Sequence, residues 1–337
     1  MSEHGGGRRW LVVGLALAAN AAIGLLKLAA GLLTGSGALL SEAAHSAGDS
    51  ITEVLLLVAV SRSTRPADRA HPFGYGKERY FWSLLAAVGI FVSGAAFSIF
   101  QGLHTIVGPE EPAAELWVNY IVLALAAVLE GISFRTAARE LREQAHRRRQ
   151  SWRDYVRDPE DPTVNSVTLE DSVALIGIAV AATGVGLHQL TGSSVWDGAA
   201  SLVIGGLLLV VAFVLARTCE TLLIGKQADP RLLAALEKRL EGEEEIVDVV
   251  DLLTMVVGAG RVLLCVRADF VDTLTTATIE QACVRVADDL RTEFPTLDEI
   301  FIQPASREDP EVRERVRARY GRALAEDGGK RRGRPPA

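Results

Sequence analysis

Long apolar stretches dominate the first two thirds of the chain. A transmembrane helix needs about 20 mostly apolar residues to cross about 30 Å of hydrocarbon, and six stretches reach that length. The predicted spans are 10–34, 35–61, 80–107, 116–134, 164–190 and 195–216. The first is too long for a removable signal peptide and has no cleavage site after it. The pattern predicts an α-helical membrane protein with six transmembrane helices.

Positive charges alternate between the loops that join these spans. Lys and Arg are retained on the cytoplasmic side of a membrane. The loop 62–79 carries five of them and the loop 135–157 carries eight, whereas the three opposite loops carry none. This asymmetry predicts that the N- and C-termini are both cytoplasmic.

A polar pattern replaces the apolar one after the sixth span. Helical periodicity at 230–240 and 275–294 and apolar runs at 246–256, 261–271 and 300–303 give the order α-β-β-α-β. We expect a small antiparallel sheet covered by helices on one face, in an α+β, ferredoxin-like domain. The predicted domains are a membrane domain at 1–225, a cytoplasmic domain at 226–305 and a charged, disordered tail at 306–337.

Composition narrows the classes of function. Hydrophobic residues make up 49% of the chain and its formal net charge is −7, which does not favour nucleic acid as a partner. Three cysteines without C-x-x-C spacing exclude a disulfide framework and a Cys-built zinc finger. No H-E-x-x-H or G-x-S-x-G string is present, which disfavours an enzyme. Near the C-terminus, an Arg-Gly-Arg-Pro string suits anionic lipid better than DNA.

Ionisable residues inside the second span are the first candidates for function, because charges are costly in hydrocarbon. His45 and Asp49, at i and i+4, lie on one helical face and can reach a single ion. Glu42 and Glu53 share that face, and Glu53 is expected to line the approach. The alternative is a set of hydrogen bonds that pins the helices together.

The fifth span supplies a second acidic point at Glu170 and Asp171, preceded by Asn165. Neighbouring residues diverge by about 100° on a helix, so one acid is expected to bind and the other to support it. Imidazole with carboxylate suits Zn²⁺ and also holds Co²⁺, Fe²⁺ or Mn²⁺. For Lys27 and Glu130 the sequence leaves two alternatives open. They form a buried ion pair or a proton route, or their side chains instead snorkel to the membrane surface or pack against other helices.

Three strings carry a family resemblance. HSAGD at 45–49 and HPFGYGKERYFWSL at 71–84 resemble motifs of the cation diffusion facilitator family, and RDPEDPTVNSVTLEDSVALIG at 157–177 is similar to its zinc transporter 9 branch. The resemblance covers nearly the whole chain. It implies six helices, a cytoplasmic α/β domain and exchange of divalent metal for protons.

By this resemblance the transport site is His45 and Asp49 with Asp171. Relatives usually have His or Asp four residues before the last of these, where this chain has Val167. Glu170, Asn165 or water must then complete the shell, and Glu170 is the first candidate.

A second site of some relatives would use Asp68 and His71, but Tyr75 replaces its next histidine. Regulatory zinc sites of the cytoplasmic domain cannot be reproduced with the same ligands, because that domain contains no histidine.

These observations predict a homodimeric divalent-metal/proton antiporter, not an enzyme, in a bacterial inner membrane. Its substrate would be Zn²⁺, with Mn²⁺, Fe²⁺ or Co²⁺ as alternatives, exported from the cytoplasm without an organic cofactor. Protons would compete with the metal for the same atoms. The expected partners are metal, protons, lipid bilayer and a second copy of the chain. The alternative is a non-transporting membrane scaffold or metal sensor of the same fold.

Overall fold

The computed structural model describes residues 4–108, 116–147 and 162–320, with side chains left out at 4–16, at 162–167 and at a few single positions. The chain divides into two compact units between Ile224 and Gly225. We call them the membrane unit and the second unit, and each is described by itself. The predicted basic loop 135–157 falls partly outside the described residues.

Helices are the only regular secondary structure of the membrane unit over its described residues. Its helices are α1 (His4–Thr34), α2 (Gly37–Ser63), α3 (Glu78–Gly89), a π-helical segment (Ile90–Ala96), α4 (Phe97–Val107), α5 (Leu116–Arg147), α6 (Pro162–Thr191) and α7 (Val195–Ile224). The π-helical segment joins α3 and α4 into one continuous span, Glu78–Val107.

Five helices of the described chain are long and apolar enough to cross a membrane: α2, the α3–α4 span, α5, α6 and α7. In α1 the apolar part within the described residues is the shorter stretch Asn20–Thr34. Five of the six predicted spans are therefore present as helices of sufficient length. The remaining one, the first span at 10–34, stays a prediction.

The turn between α1 and α2 fixes where the second span begins. Gly35 has φ +70°, a left-handed conformation that ends a helix and that side chains with a Cβ rarely adopt. Ser36 then caps α2, and its Oγ accepts a hydrogen bond from the Leu39 N–H at 3.2 Å. The predicted boundary at 34/35 is confirmed to within two residues.

The surface of the membrane unit is apolar and its interior holds small and polar residues. Leu33, Leu190 and Phe213 are 78%, 83% and 69% exposed, which suits lipid contact. Helices approach closely where glycines face each other: a Cβ on Gly102 of α4 would lie 2.8 Å from the Gly198 carbonyl oxygen of α7. Such close approaches add to an apolar core of buried side chains that includes Leu39, Ile204 and Leu208.

The second unit is a mixed sheet with helices. Its elements are α8 (Pro230–Leu240), β1 (Ile246–Gly258), β2 (Arg261–Phe270), α9 (Thr276–Glu293), β3 (Leu297–Pro304) and α10 (Pro310–Tyr320). Side chains alternate along β2, whose buried residues share one core with α8 and α9. The predicted order α-β-β-α-β is confirmed.

The prediction of a purely antiparallel sheet is wrong. β1 and β2 are antiparallel, but β3 pairs with β2 in parallel, and the strand order is β1-β2-β3. The reason is that α9 connects β2 to β3: a helical crossover returns the chain to the same end of the sheet, so the next strand runs in the same direction.

The prediction that the tail 306–337 is disordered is wrong for its first part, because α10 occupies Pro310–Tyr320. Asp309 caps this helix, with Oδ1 accepting from the Glu311 N–H at 2.8 Å. Arg319 also reaches the carboxylate of Asp251 in β1, at 2.7 Å. The remainder of the tail, 321–337, lies outside the described residues.

Candidate functional site

His45 and Asp49 form a buried pair on α2. Their side chains are 2% and 14% exposed, and Nδ1 of the imidazole lies 3.3 Å from Oδ1 of the carboxylate. Their i, i+4 spacing produces this proximity, as predicted. His45 Nε2 and Asp49 Oδ1 have no hydrogen-bond partner among the described residues. Because unpaired polar atoms are costly when buried, these atoms are available to an incoming ion.

Glu170 and Asp171 of α6 face different neighbours. Glu170 is 7% exposed, and its Oε1 has no hydrogen-bond partner in the described part of the chain. Gly177 of α6 lies against Glu42 of α2, and Glu170, two helical turns earlier, is on the same face of α6. Asp171 Oδ2 instead accepts a hydrogen bond from Ser133 of α5 at 2.8 Å. The two acids diverge, as expected for successive residues on a helix.

The predicted ligands do not form a closed coordination shell. Over the residues that the structure describes, no three His, Cys, Asp or Glu side chains are grouped closely enough to hold a metal ion. His45 and Asp49 are brought together, whereas Glu170 and Asp171 stand outside coordination distance. The side chains of Asn165 and Val167 lie outside the described ones.

Lys27 of α1 contacts Glu42 of α2, a pairing that the sequence interpretation missed. Its Nζ lies 3.0 Å from Glu42 Oε2 and donates to Ser46 Oγ at 2.9 Å, and both charged side chains are fully buried. The prediction that Lys27 snorkels to the membrane surface is therefore wrong. Its ion-pair partner is Glu42, not the predicted Glu130. The sequence does contain a signal for this contact. Positions 27 and 42 lie at nearly equal distances on either side of the turn at Gly35, so the two antiparallel helices bring them to the same depth.

Asp197, in the first turn of α7, is a second residue that the sequence interpretation missed. Its carboxylate is 1% exposed and accepts hydrogen bonds from Ser36 Oγ at 2.7 Å and the Ala38 N–H at 3.1 Å. An acid at a helix N-terminus is favoured by the helix dipole. Asp197 thus ties the start of α2 to α7 and fixes the register of the helix that carries His45 and Asp49.

The π-helical segment also lies beside this part of α2. Ser93 in that segment donates to the Gly89 carbonyl oxygen at 2.7 Å, and a Cβ on Gly48 would lie 2.8 Å from Ser93 Oγ. Gly48 directly precedes Asp49. π-helical turns occur frequently at functional sites, and this one was not predicted.

The weaker predicted site at Asp68 and His71 lies in an exposed loop with a local explanation. Asp68 Oδ1 accepts from the N–H groups of Ala70 and His71 at 2.9 and 2.7 Å, and Tyr75 OH donates to Oδ2 at 2.7 Å. The Tyr75 hydrogen bond lowers the pKa of Asp68, and the same bond raises the pKa of Tyr75. The carboxylate is thus occupied in shaping a turn.

Polar and ionisable side chains buried between apolar helices are the signature of membrane proteins that move ions. A comparison with protein families points to the same class, because residues 13–224 match the cation efflux transmembrane domain. The chain belongs to the cation efflux family and is an integral membrane protein. The resemblance to the cation diffusion facilitators, and to their zinc transporter 9 branch, is confirmed.

Three relatives illustrate the similarity. The proton-coupled zinc antiporter SLC30A9, mitochondrial, of Mus musculus is 34% identical over 77% of this chain and 46% of its own length. Metal tolerance protein C4 of Arabidopsis thaliana is 31% identical over 76% and 56%. The metal cation efflux system protein CzcD of Cupriavidus metallidurans is 25% identical over 78% and 76%. The chain thus spans about half the length of the first of these.

Proposed function

We propose that the chain is a secondary transporter, a divalent-cation/proton antiporter that exports Zn²⁺ from the cytoplasm. The proposal rests on three of the buried atoms that have no hydrogen-bond partner among the described residues: His45 Nε2, Asp49 Oδ1 and Glu170 Oε1. Nitrogen and carboxylate oxygen together suit Zn²⁺, and Mn²⁺, Fe²⁺ and Co²⁺ are weaker candidates. The relatives named as zinc antiporters support this choice of substrate.

Ligand chemistry accounts for the coupling to protons. Zn²⁺ needs a neutral imidazole at His45 and an ionised carboxylate at Asp49, so protons and metal compete for the same atoms. Metal binding therefore releases protons, and proton binding releases metal. Protonation also lowers the cost of keeping the emptied site inside the hydrocarbon.

The proposed ligand set is His45 and Asp49 of α2 with Glu170 and Asp171 of α6. Glu170 is the first to join, because its buried Oε1 has no hydrogen-bond partner among the described residues. Asp171 must exchange its Ser133 hydrogen bond for the ion. A closer approach of α6 to α2 completes the shell, which gives the site an open and a closed form.

We further propose six membrane helices, cytoplasmic termini, a cytoplasmic ferredoxin-like domain, a bacterial inner-membrane location and a homodimer. The basic loop after α2 supports this topology, with Arg62, Arg65 and Arg69 all exposed.

The alternative function is a metal sensor or scaffold that does not transport. It is favoured by the absence of a three-ligand group over the described residues. Transport requires that the open arrangement close around an ion, whereas a sensor requires only weak binding.

Zinc flux in liposomes distinguishes the two functions. Purified full-length protein is reconstituted with an entrapped zinc-sensitive dye, and a proton gradient is imposed across the membrane. An antiporter moves Zn²⁺ in the direction opposite to the flow of protons. This Zn²⁺ flux stops when an ionophore collapses the proton gradient. Zinc binding without gradient-dependent flux would instead establish the sensor.

A further inference from the structure

A buried lysine lies beside the proposed transport site without being part of it. We propose that Lys27 is a selectivity residue: it holds the Glu42 carboxylate out of the coordination shell and so keeps the site selective for Zn²⁺ over harder divalent cations. This inference rests on the proposed transport function. It assigns α1 a role in choosing the ion.

Glu42 is placed where it can reach the same ion as His45. The two residues are three apart on α2, so their side chains are neighbours on one helical face. Glu42 Oε1 has no hydrogen-bond partner within the described chain. A Cβ on Gly177 of α6 would lie 2.5 Å from this oxygen. Glu42 therefore lies between α2 and α6, the two helices that supply all the proposed ligands.

Lys27 forms an ion pair with the Glu42 carboxylate. The ammonium group lies 3.0 Å from Glu42 Oε2, and neither side chain is exposed. Breaking a buried pair by removing one partner is costly because it leaves an uncompensated charge. Coordination of a metal through Glu42 Oε1 would place a divalent cation and the ammonium on the same carboxylate. Repulsion between these two positive charges opposes that arrangement while Lys27 is present.

Removing the ammonium changes the ligand set rather than simply weakening it. Glu42 then becomes an additional carboxylate one helical turn from His45. Imidazole-rich sites favour Zn²⁺, whereas additional carboxylate oxygens favour harder ions such as Mn²⁺. The charge on α1 thus sets how hard an ion the site accepts.

A packing role for Lys27 makes a different prediction. Lys27 Nζ also donates to Ser46, next to His45, so its loss could disturb α2 in general. Such a disturbance lowers the transport of all ions together and does not depend on the charge of Glu42. The selectivity role predicts opposite changes for two ions and reversal when Glu42 is neutralised.

The test compares Zn²⁺ and Mn²⁺ in full-length variants, by equilibrium binding in detergent and by flux in liposomes. Lys27→Met and Lys27→Gln should lower the Zn²⁺/Mn²⁺ preference about tenfold, which corresponds to about 1.4 kcal/mol. Lys27→Met/Glu42→Gln should restore the wild-type preference. Ser41→Ala is the matched control, since Ser41 is a fully buried neighbour on α2, and it should leave the preference unchanged.

An unchanged preference in the lysine variants, or an altered preference that persists in the double variant, overturns the inference. Lys27→Gln decides the matter if the methionine variant does not fold. Failure of the proposed function has a separate signature: the wild-type protein then binds metal but shows no gradient-dependent flux, while the binding preferences still test Lys27.

Discussion

Asp49 and Glu170 of the membrane unit differ from the buried acids of the second unit in the charges that surround them. In the second unit, Asp251 has a fully buried side chain, and its Oδ2 contacts Arg267 at 2.9 Å and Arg319 at 2.7 Å. Asp251 Oδ1 has no hydrogen-bond partner among the described residues, and the same holds for Asp49 Oδ1 and Glu170 Oε1 in the membrane unit. The difference lies in the charge partner: two arginines compensate Asp251, whereas Asp49 contacts the imidazole of His45. Uncompensated charge is expensive to bury. Acids paired with arginine stabilise a fold, whereas unpaired acids are suited to an exchangeable cation.

Glu243 shows the same treatment in the second unit. It contacts Arg239 and also Arg285, the latter at 2.8 Å, and so joins α8 to α9. Burial acts to raise the pKa of Glu243, but hydrogen bonds from the two arginines outweigh it and lower the pKa below its ordinary value. Residues 225–337 also contain no histidine. In the second unit, the buried acids Asp251 and Glu243 are thus compensated by arginines, and the imidazole ligand that zinc prefers is not present.

The sharpest way to break the comparison is to remove an acid that no lysine or arginine compensates among the described residues. Asp49→Ala should reduce zinc flux by at least about 100-fold, because it deletes a charged ligand. The protein should stay folded, since Asp49 Oδ1 accepts no hydrogen bond from the described residues. Zinc flux in liposomes and size-exclusion chromatography check the two halves of this prediction.

Glu220→Gln is the matched control, because Glu220 is an exposed acid of the same unit paired with Arg217. Its flux should be that of the wild type. Normal flux in Asp49→Ala would exclude Asp49 as a ligand.

Removing a paired acid should have the opposite phenotype. Asp251→Ala leaves Arg267 and Arg319 without their carboxylate and should destabilise the second unit by about 2 kcal/mol. Hydrogen exchange of full-length protein should become faster in β1 and α10. Arg319→Ala should affect α10 more than β1, and equal exchange in wild type and Asp251→Ala would show that the pair contributes nothing.

The two acids of α6 sharpen the comparison further. Glu170→Gln should weaken zinc binding about tenfold, because it neutralises an oxygen that is free to bind. Asp171→Asn should have a smaller effect, since this acid already accepts a hydrogen bond from Ser133. Isothermal titration of both variants gives the order, and a larger loss in Asp171→Asn would reverse the assignment.

The smallest effect is a pH dependence in the second unit. Because the folded pKa of Glu243 is lowered, its contribution to stability is present above the unfolded value of about 4.3. The contribution is lost as pH falls through the folded pKa. The hydrogen-exchange protection factors in α8 and α9, which are corrected for the pH dependence of intrinsic exchange, should therefore fall on acidification in wild type and fall less in Glu243→Gln. Equal acid sensitivity would assign the effect to other acids.

The sequence predicts local structure well where a single helix or turn decides it. The border between α1 and α2 follows from Gly35 and Ser36, and the His45–Asp49 contact follows from their spacing. The direction of β3 depends on the crossover through α9, which the apolar pattern of the strand does not record.

Partner choice between elements was harder to predict. Lys27 had several acids within the bundle as candidates, and Glu42 is its partner because of the depth that the turn imposes. Asp197 reads as an ordinary first-turn acid until α7 is placed against the start of α2. The π-helical segment has no signature in hydropathy, since its residues are as apolar as their neighbours.

Zinc stoichiometry tests the central claim most directly. Equilibrium dialysis of full-length protein should give one tightly bound Zn²⁺ per wild-type chain and none in Asp49→Ala, because the unpaired acids of the membrane unit hold the ion and the paired acids of the second unit do not. One tightly bound Zn²⁺ per chain retained in Asp49→Ala would contradict the account.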